Sequence, residues 1–128
     1  MLTLICGIPN AGKTTLSTQY AHVIHLDDLD GRTHYDQCNR FASLYQGDVC
    51  VEGVYNRVRQ RRELLEACKH QSPKVCIWLD TPLEECLERE KNYRKRPLAI
   101  VHAHHNAFEP PTLEEGWDEI IIIKGEKQ

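Results

Sequence analysis

The chain has 128 residues, a length that suits one domain with one hydrophobic core, and we expect residues 1–128 to fold as a unit. Its 16 Lys and Arg stand against 19 Asp and Glu, for a net charge of −3. This excludes the global positive field of non-specific nucleic-acid binders, so a polyanionic partner would need a local patch of cations.

Cysteine usage and hydropathy indicate the compartment. The six cysteines include no C-x-x-C pair, and several lie in apolar runs where a free thiol behaves as a small hydrophobic side chain. This pattern favours a reducing, cytoplasmic environment. No apolar run approaches the ~18 residues that span a bilayer, and no signal peptide is recognisable before the first apolar run, so we expect no membrane partner.

The first predicted element is a strand over residues 2–6, followed by the sequence GIPNAGKT and by a helix predicted over residues 15–21. The pattern G-x-x-x-x-G-K-[ST] is that of a phosphate-binding loop. In such a loop the backbone N–H groups face phosphate oxygens, Lys13 reaches the β- and γ-phosphates, and the Thr14 hydroxyl ligates Mg²⁺. We therefore expect a bound nucleoside triphosphate. The predicted contacts are Gly7, Pro9, Asn10, Ala11, Gly12, Lys13, Thr14 and Thr15.

Four further apolar segments predict strands that alternate with helices. These segments are residues 22–26, 49–51, 75–79 and 120–123. The alternation predicts an α/β fold of the P-loop NTPase type, a five-stranded, mostly parallel sheet with helices on both faces. Ligands of such sheets bind at the carboxyl ends of the strands, so the residues just after each strand are the functional candidates.

Carboxylates follow the second and third predicted strands. Asp27 lies within reach of a hydroxyl placed in line with a γ-phosphate, which makes it a candidate general base; a turn-forming role is the alternative. We expect Asp28, one residue farther from the strand, to support the turn. Glu52 lies where it could support Mg²⁺ through the water shell of the ion, with a solvated strand end as the alternative.

A dense basic run occupies residues 89–97, between the fourth and fifth predicted strands. Its cations are Arg89, Lys91, Arg94, Lys95 and Arg96. The transition state of phosphoryl transfer spreads negative charge over the equatorial oxygens, and mobile cations stabilise it. We expect residues 89–97 to form a lid, with a solvated basic surface as the alternative.

The best helical pattern of the chain, over residues 56–70, carries a second group of arginines. Arg57 and Arg61 share a face at helical spacing, so they could contact a phosphate backbone or lie on a solvated surface. A weaker helical pattern over residues 35–46 carries apolar residues at Phe41, Leu44 and Tyr45.

Two other patterns carry no catalytic expectation. His102, His104 and His105 resemble metal-ligand spacing, but no Cys or carboxylate joins them in register, so we expect no metal there. Thr112 and Glu115 form the pattern of a capping box for one short turn, which indicates structural scaffolding.

Together these features resemble the kinase domain of polynucleotide 5′-hydroxyl kinases, within the wider zeta-toxin-like group of small P-loop kinases. The resemblance covers nearly the whole chain. Its most specific part is the sequence FEPPTLEEGW at residues 108–117, which is very similar to a signature that precedes the final strand in such enzymes. The other matching parts are the phosphate-binding loop, Asp27, Arg61, Arg89 and Arg94.

The resemblance implies ATP as the phosphate donor, held with Mg²⁺ by Lys13 and Thr14. It also implies that Asp27 is the general base on a 5′-hydroxyl, and that Arg89 and Arg94 clamp the phosphates as catalytic groups beside Lys13. Its expected acceptor is the 5′-OH of a nucleic acid, and any phosphatase or ligase partner is expected on a separate chain.

The chain departs from the family pattern at two places. Many relatives carry an arginine three residues after the catalytic aspartate, and here Arg32 is the nearest substitute. Glu52 begins the segment that reads Asp-x-Thr-Asn in the family. The predicted substrate-binding residues are Arg32, Arg57 and Arg61. Two alternatives stay open: a kinase for a nucleoside, sugar or antibiotic, and an ATP-binding regulatory module with little turnover.

Overall fold

All five predicted strands form in the computed structural model, which describes residues 1–29 and 34–124. The elements in chain order are β1 (Leu2–Cys6), α1 (Lys13–Ser17), β2 (Val23–His25), α2 (His34–Ser43), β3 (Val49–Gly53), α3 (Val58–Ala67), β4 (Lys74–Asp80), α4 (Leu83–Tyr93), α5 (Leu98–Ala107) and β5 (Glu119–Lys124). Short 3-10 turns occupy Leu26–Asp28 and Leu113–Glu115. Among these described residues, no helix is both long and apolar enough to cross a membrane.

The strands form one sheet in the order β2-β3-β1-β4-β5, and every neighbouring pair is parallel. Cys6, the last residue of β1, pairs with Gly53, the last residue of β3, and with Trp78 in β4, which continues to Asp80. Because β1 is the middle strand, the loop that follows it emerges at the centre of the edge formed by the carboxyl ends of the strands. The prediction of a parallel α/β sheet is confirmed.

Helices cover both faces of the sheet and form two hydrophobic cores. Alternate residues of β1 point in opposite directions, with Leu2 and Leu4 in the core beneath α2 and α3, and Ile5 in the core beneath α1, α4 and α5. The second core contains Ile77 of β4 and Val101 of α5. The second core therefore holds α1, which follows the phosphate loop, and α5, which follows the basic run, against the same face of the sheet.

Helix α1 is shorter than the predicted helix over residues 15–21. The hydroxyls of Ser17 and Thr18 donate to the carbonyl oxygens of Thr14 and Thr15, each at 2.7 Å. Side-chain bonds of this kind compete with helix propagation, and the backbone N–H groups of the next residues bond three residues back instead of four. Only a single helical turn therefore follows the loop.

Helix α2 packs through its smaller side chains and not through the large apolar residues of its pattern. Phe41 and Leu44 are 46% and 70% exposed, whereas Cys38, Asn39 and Ala42 are buried. Small side chains on the inner face let the helix pack closely on the sheet. Asn39 accepts a hydrogen bond from the buried Tyr55 hydroxyl at 2.9 Å, so its polar group is satisfied.

The segment over residues 108–117 leads from α5 into β5 and packs against β4 and the residues just before α3. Phe108 stacks on Trp78 of β4 with a centroid separation of 5.2 Å, and the Glu109 N–H donates to the Asn56 carbonyl at 2.7 Å. The capping box predicted from Thr112 and Glu115 is present. This segment is a structural connector, which agrees with the scaffolding role predicted for its capping box.

Candidate active site

Two glycines fix the path of the loop between β1 and α1. A Cβ on Gly7 would lie 2.8 Å from the carbonyl oxygen of Leu79, so the loop passes in close contact with the backbone of β4. Gly12 has a φ of +103°, in the left-handed region that favours glycine. The Thr81 hydroxyl supports the loop by donating to the Ala11 carbonyl at 2.7 Å. The loop conformation thus depends on its glycines and on β4.

The loop borders a cavity of about 820 Å³, a volume typical of small-molecule sites. Seven of the eight residues predicted to contact a nucleotide line it, namely Pro9, Asn10, Ala11, Gly12, Lys13, Thr14 and Thr15. Gly7 is buried behind them. Further lining comes from α4, the turn after it and α5, through Arg89, Tyr93, Lys95, Arg96 and His104. Asp27 and Glu52 add carboxylates to the same cavity.

Lys13 is buried, and its Nζ donates to the Ile8 carbonyl at 2.8 Å. Burial is the largest influence and lowers the pKa of Lys13, whereas the negative charges of Glu52 and Asp27 act in the opposite direction. A buried cation of this kind gains from an anionic ligand, because a phosphate group would offset the loss of hydration. The buried position of Lys13 therefore suits a cation that binds phosphate.

Glu52 links the loop to β2. One carboxylate oxygen accepts a hydrogen bond from the Thr14 hydroxyl at 3.5 Å, and the other lies 2.7 Å from Nδ1 of His25. Glu52 is 4% exposed, so the predicted alternative of a solvated strand end is wrong. Its oxygens and the Thr14 hydroxyl are the hard ligands that Mg²⁺ prefers.

Within the described ranges, no group of three or more His, Cys, Asp and Glu side chains could enclose a metal ion. A Mg²⁺ ion at Thr14 and Glu52 would therefore complete its coordination with water and phosphate oxygens, as this ion commonly does. The two residues fit such an ion.

Asp27 and Asp28 face different pockets, although they are adjacent in the 3-10 turn after β2. Asp27 is exposed and lines the large cavity, where its charge acts on Lys13. Asp28 lines a separate, apolar pocket formed by β2 and α2 residues. Asp27, the predicted general base, therefore lies in the large cavity, and its neighbour Asp28 does not.

Two arginines of the basic run reach the phosphate loop at the same residue. Nη1 of Arg89 donates to the Asn10 carbonyl at 2.5 Å, and Nη1 of Arg96 donates to the Asn10 side-chain oxygen at 3.3 Å. Arg89 also pairs with Glu85 one helical turn earlier, at 2.7 Å. The predicted place of Arg89 beside the phosphate loop agrees with the structure.

Arg94 is absent from the described residues that line the cavity, and Arg96 lines it instead. Arg94 is the exposed residue that follows α4, and its left-handed conformation with φ 55° ends the helix. The assignment of the second cavity arginine is therefore corrected from Arg94 to Arg96. Arg32 lies outside the described residues, and its predicted contact with substrate stays a prediction.

The predicted substrate-binding role of Arg61 is wrong. Arg61 is 0% exposed and forms an ion pair with Glu115 at 2.7 Å, and it also donates to the carbonyl oxygens of Tyr55 and Glu109, each at 2.8 Å. The Arg61 guanidinium is therefore bonded to buried groups of the protein and is not exposed to a substrate. Arg57, by contrast, is exposed just before α3 and outside the described cavity lining.

His104 is a cavity residue that sequence reasoning missed. It is half-buried on α5, and burial, followed by the charges of Lys13 and Arg96, lowers the pKa of His104, with Asp27 opposing them. It therefore presents a neutral imidazole to the cavity at neutral pH. The sequence signal for His104 was the spacing that it shares with His102 and His105, from which we expected no metal and no other role.

No protein-family model matches the chain, and no curated protein is similar to it in sequence. Solved structures are similar in fold. A gluconokinase from Sinorhizobium meliloti 1021 gives a TM-score of 0.76 at 13% identity, over 98% of this chain and 83% of the gluconokinase. Kti12 from Chaetomium thermophilum, in complex with ADP-AlF3, gives 0.75 at 16% identity, over 97% of this chain and 89% of Kti12.

A shikimate kinase from Acinetobacter baumannii, in complex with shikimate, gives a TM-score of 0.62 at 17% identity, over 99% of this chain and 84% of the shikimate kinase. The TM-scores show a shared fold, and at identities this low the likeness extends to the fold alone. The chain therefore has the α/β fold of these structures, with a five-stranded parallel sheet.

Proposed function

We propose that the chain is an ATP-dependent kinase that transfers the γ-phosphoryl group to a hydroxyl. The observation that carries the proposal is one cavity that joins Lys13 of the phosphate loop, the carboxylate of Asp27, and the cations Arg89 and Arg96. Each of these groups has a part in phosphoryl transfer. The kinases among the structures of similar fold support the same reading.

In the proposed reaction the acceptor oxygen attacks the γ-phosphorus while Asp27 takes the hydroxyl proton. The bond between the γ-phosphorus and the bridging oxygen breaks, and ADP leaves with the bonding electrons. Lys13, Arg89 and Arg96 offset the charge that spreads over the equatorial oxygens. Mg²⁺ at Thr14 and Glu52 would supply further neutralisation of the β- and γ-phosphates.

Two classes of acceptor are proposed, and each has an observation in its favour. The 5′-OH of a polynucleotide is favoured by the sequence resemblance and by the exposed Arg57 and Arg62 at the start of α3. A small-molecule alcohol is favoured by the net charge of −3 and by the burial of Arg61, which removes that residue from any binding surface. An ATP-binding module with little turnover would need no base at position 27.

The test is transfer of labelled γ-phosphate from ATP to a panel of 5′-OH oligonucleotides and small alcohols. A polynucleotide held by about three phosphates should show a KM that rises roughly 20-fold between 50 and 200 mM salt, because counterions are released on binding. The KM of a neutral alcohol should barely move. Labelling of no acceptor, with ATP still bound, would overturn the kinase proposal in favour of a regulatory module.

Charge reversal separates the acceptor classes further. Arg57→Glu and Arg62→Glu should flatten the salt dependence for an oligonucleotide acceptor and leave a small alcohol unaffected. Lys69→Glu is the matched control, because Lys69 is exposed just beyond the other end of the same helix. If the salt dependence of KM for an oligonucleotide is the same in all three variants, α3 does not contact the acceptor.

A further inference from the structure

Asn10 of the phosphate loop is held by α4 and the turn after it. Its side-chain nitrogen donates to the Cys86 carbonyl and to Oε1 of Glu90, each at 3.2 Å. Its side-chain oxygen accepts from Arg96 at 3.3 Å, and its main-chain oxygen accepts from Arg89. Asn10 adopts a φ of +70°, so this anchored side chain sits at a backbone position of unusual geometry.

Glu90 is the acidic centre of this arrangement and is 1% exposed. Its Oε2 accepts from the backbone N–H groups of Lys95 at 2.8 Å and Arg96 at 3.3 Å. Its Oε1 accepts from the Arg96 guanidinium at 2.9 Å in addition to the Asn10 amide. Burial acts to raise the pKa of Glu90, but hydrogen bonds from Lys95, Asn10 and Arg96 outweigh it and lower the pKa. The carboxylate is therefore ionised at neutral pH.

Arg96 is oriented by these bonds toward the cavity. In residues 1–29 and 34–124, its guanidinium bonds only through Nη1, which contacts both Glu90 and Asn10. Its side chain is 26% exposed and lines the cavity. The opposite edge of the guanidinium, with Nη2 and Nε, is available to phosphate oxygens in the planar geometry that arginine uses for phosphate.

We propose that Glu90 is a positioning residue that fixes Arg96 and Asn10 in one arrangement, so that the Arg96 cation faces the transferred phosphoryl group. The inference rests on the proposed kinase function and adds to it a residue that does not touch the substrate. Because Glu90 also bonds two backbone N–H groups of the turn after α4, it fixes the turn and the arginine together. Residues 89–97 are thereby tied to the phosphate loop.

The first test is Glu90→Gln. An amide cannot accept all the donors that surround this position, so the variant releases Arg96 while it keeps the side-chain volume. We expect kcat to fall about tenfold and the Kd for ATP to stay within about twofold, because a fixed cation acts mainly in the transition state. Glu88→Gln is the matched control, since Glu88 is exposed on the same helix and pairs with Lys91. It should change neither quantity.

A double-mutant cycle with Arg96→Ala distinguishes positioning from a structural role. If Glu90 acts through Arg96, Glu90→Gln should lower kcat by less than twofold when Arg96 is already alanine. An equal loss of kcat in both backgrounds would overturn the inference. Thermal unfolding of all four proteins shows whether each is folded at the assay temperature.

A second variant keeps the test decisive if Glu90→Gln does not fold. Asn10→Gly removes the side-chain bonds to Glu90 and Arg96, and glycine accepts the φ of +70° without strain. The same cycle with Arg96→Ala applies, and additive losses would again overturn the inference.

The inference and the proposed function fail separately. If the wild type labels no hydroxyl, the kinase proposal fails. The double-mutant cycle is then measured on the rate at which the protein hydrolyses ATP. If the wild type labels a hydroxyl and the cycle is additive, the positioning role alone fails. A wild type that neither transfers nor hydrolyses the γ-phosphate would overturn both.

Discussion

Arg61 and Glu115 form a fully buried ion pair, with Nε of Arg61 2.7 Å from Oε1 of Glu115. The indole N–H of Trp117 donates to the same carboxylate oxygen at 3.1 Å, and the Thr112 N–H donates to the other at 2.8 Å. This network ties α3 to the segment that leads into β5. The most specific sequence motif of the chain, FEPPTLEEGW, is therefore built into the scaffold, and its residues are absent from the lining of the cavity.

Glu115→Gln should destabilise the protein strongly. The variant leaves the buried Arg61 cation without its counter-charge, and breaking a buried pair in this way typically costs about 3–5 kcal/mol. The measurement is the free energy of unfolding by urea. Glu114→Gln is the control, because Glu114 is exposed and adjacent in sequence, and it should change stability by less than ~0.5 kcal/mol.

The same pair predicts a pH dependence. Burial would raise the pKa of Glu115, but the hydrogen bonds from Arg61, Thr112 and Trp117 outweigh it, so the folded pKa is below the ordinary value of 4.5. The stabilising contribution is therefore present above pH 4.5 and is lost as the pH falls through the folded pKa. The stability difference between wild type and Glu115→Gln should shrink in acid. A difference that stays constant to pH 2 would contradict this account.

The sequence predicted the sheet well because its strands and loop are local patterns. Apolar runs marked all five strands, and GIPNAGKT marked the phosphate loop. Arg61 shows why some site predictions failed. Its helical spacing put it beside Arg57, but its partner Glu115 lies 54 residues away, and no local pattern reports such a pairing.

The basic run gives a second example of this limit. Spacing along the chain did not distinguish Arg94 from Arg96, because the choice depends on where α4 ends and on the left-handed conformation of Arg94. The contact between Asn10 and Glu90 joins residues 80 apart. Sequence reasoning found the cations of the site but did not find the carboxylate that orients one of them.

The exchange of Arg94 for Arg96 can be tested directly. Arg89→Ala and Arg96→Ala should each lower kcat by about 10- to 100-fold with a smaller change in the Kd for ATP, because their charges face the developing negative charge. Arg94→Asn should change kcat by less than about twofold, and asparagine tolerates the left-handed backbone there. Steady-state kinetics with one acceptor checks all three. Loss of kcat in Arg94→Asn alone would restore the sequence-based assignment.

Lys13→Met should remove activity without loss of stability. The methionine keeps an apolar chain of similar length in the buried position. It removes the positive charge that would contact the β- and γ-phosphates. Because burial lowers the pKa of Lys13, the folded state disfavours the charged form, and removal of the charge should leave the free energy of unfolding at neutral pH equal or higher.

The control for Lys13→Met is Lys91→Met, an exposed substitution on α4 that should keep full activity. Urea unfolding and γ-phosphate transfer are measured on both variants. A folded Lys13→Met protein with normal turnover would remove the phosphate loop from the mechanism.

The most direct test of the proposed mechanism is a comparison of Asp27→Asn with Asp28→Asn. Asparagine keeps the shape of each side chain but cannot accept the acceptor proton. We expect Asp27→Asn to lower kcat by ~10²–10⁴-fold, about 3–5.5 kcal/mol of barrier, with the Kd for ATP nearly unchanged. Asp28 lines the separate apolar pocket, so Asp28→Asn should lower kcat by less than tenfold.

The measurement is kcat and the Kd for ATP for both variants on the same acceptor. We expect a large loss of kcat in Asp27→Asn alone. Full activity in Asp27→Asn would rule out the proposed mechanism, whether or not Asp28→Asn is impaired.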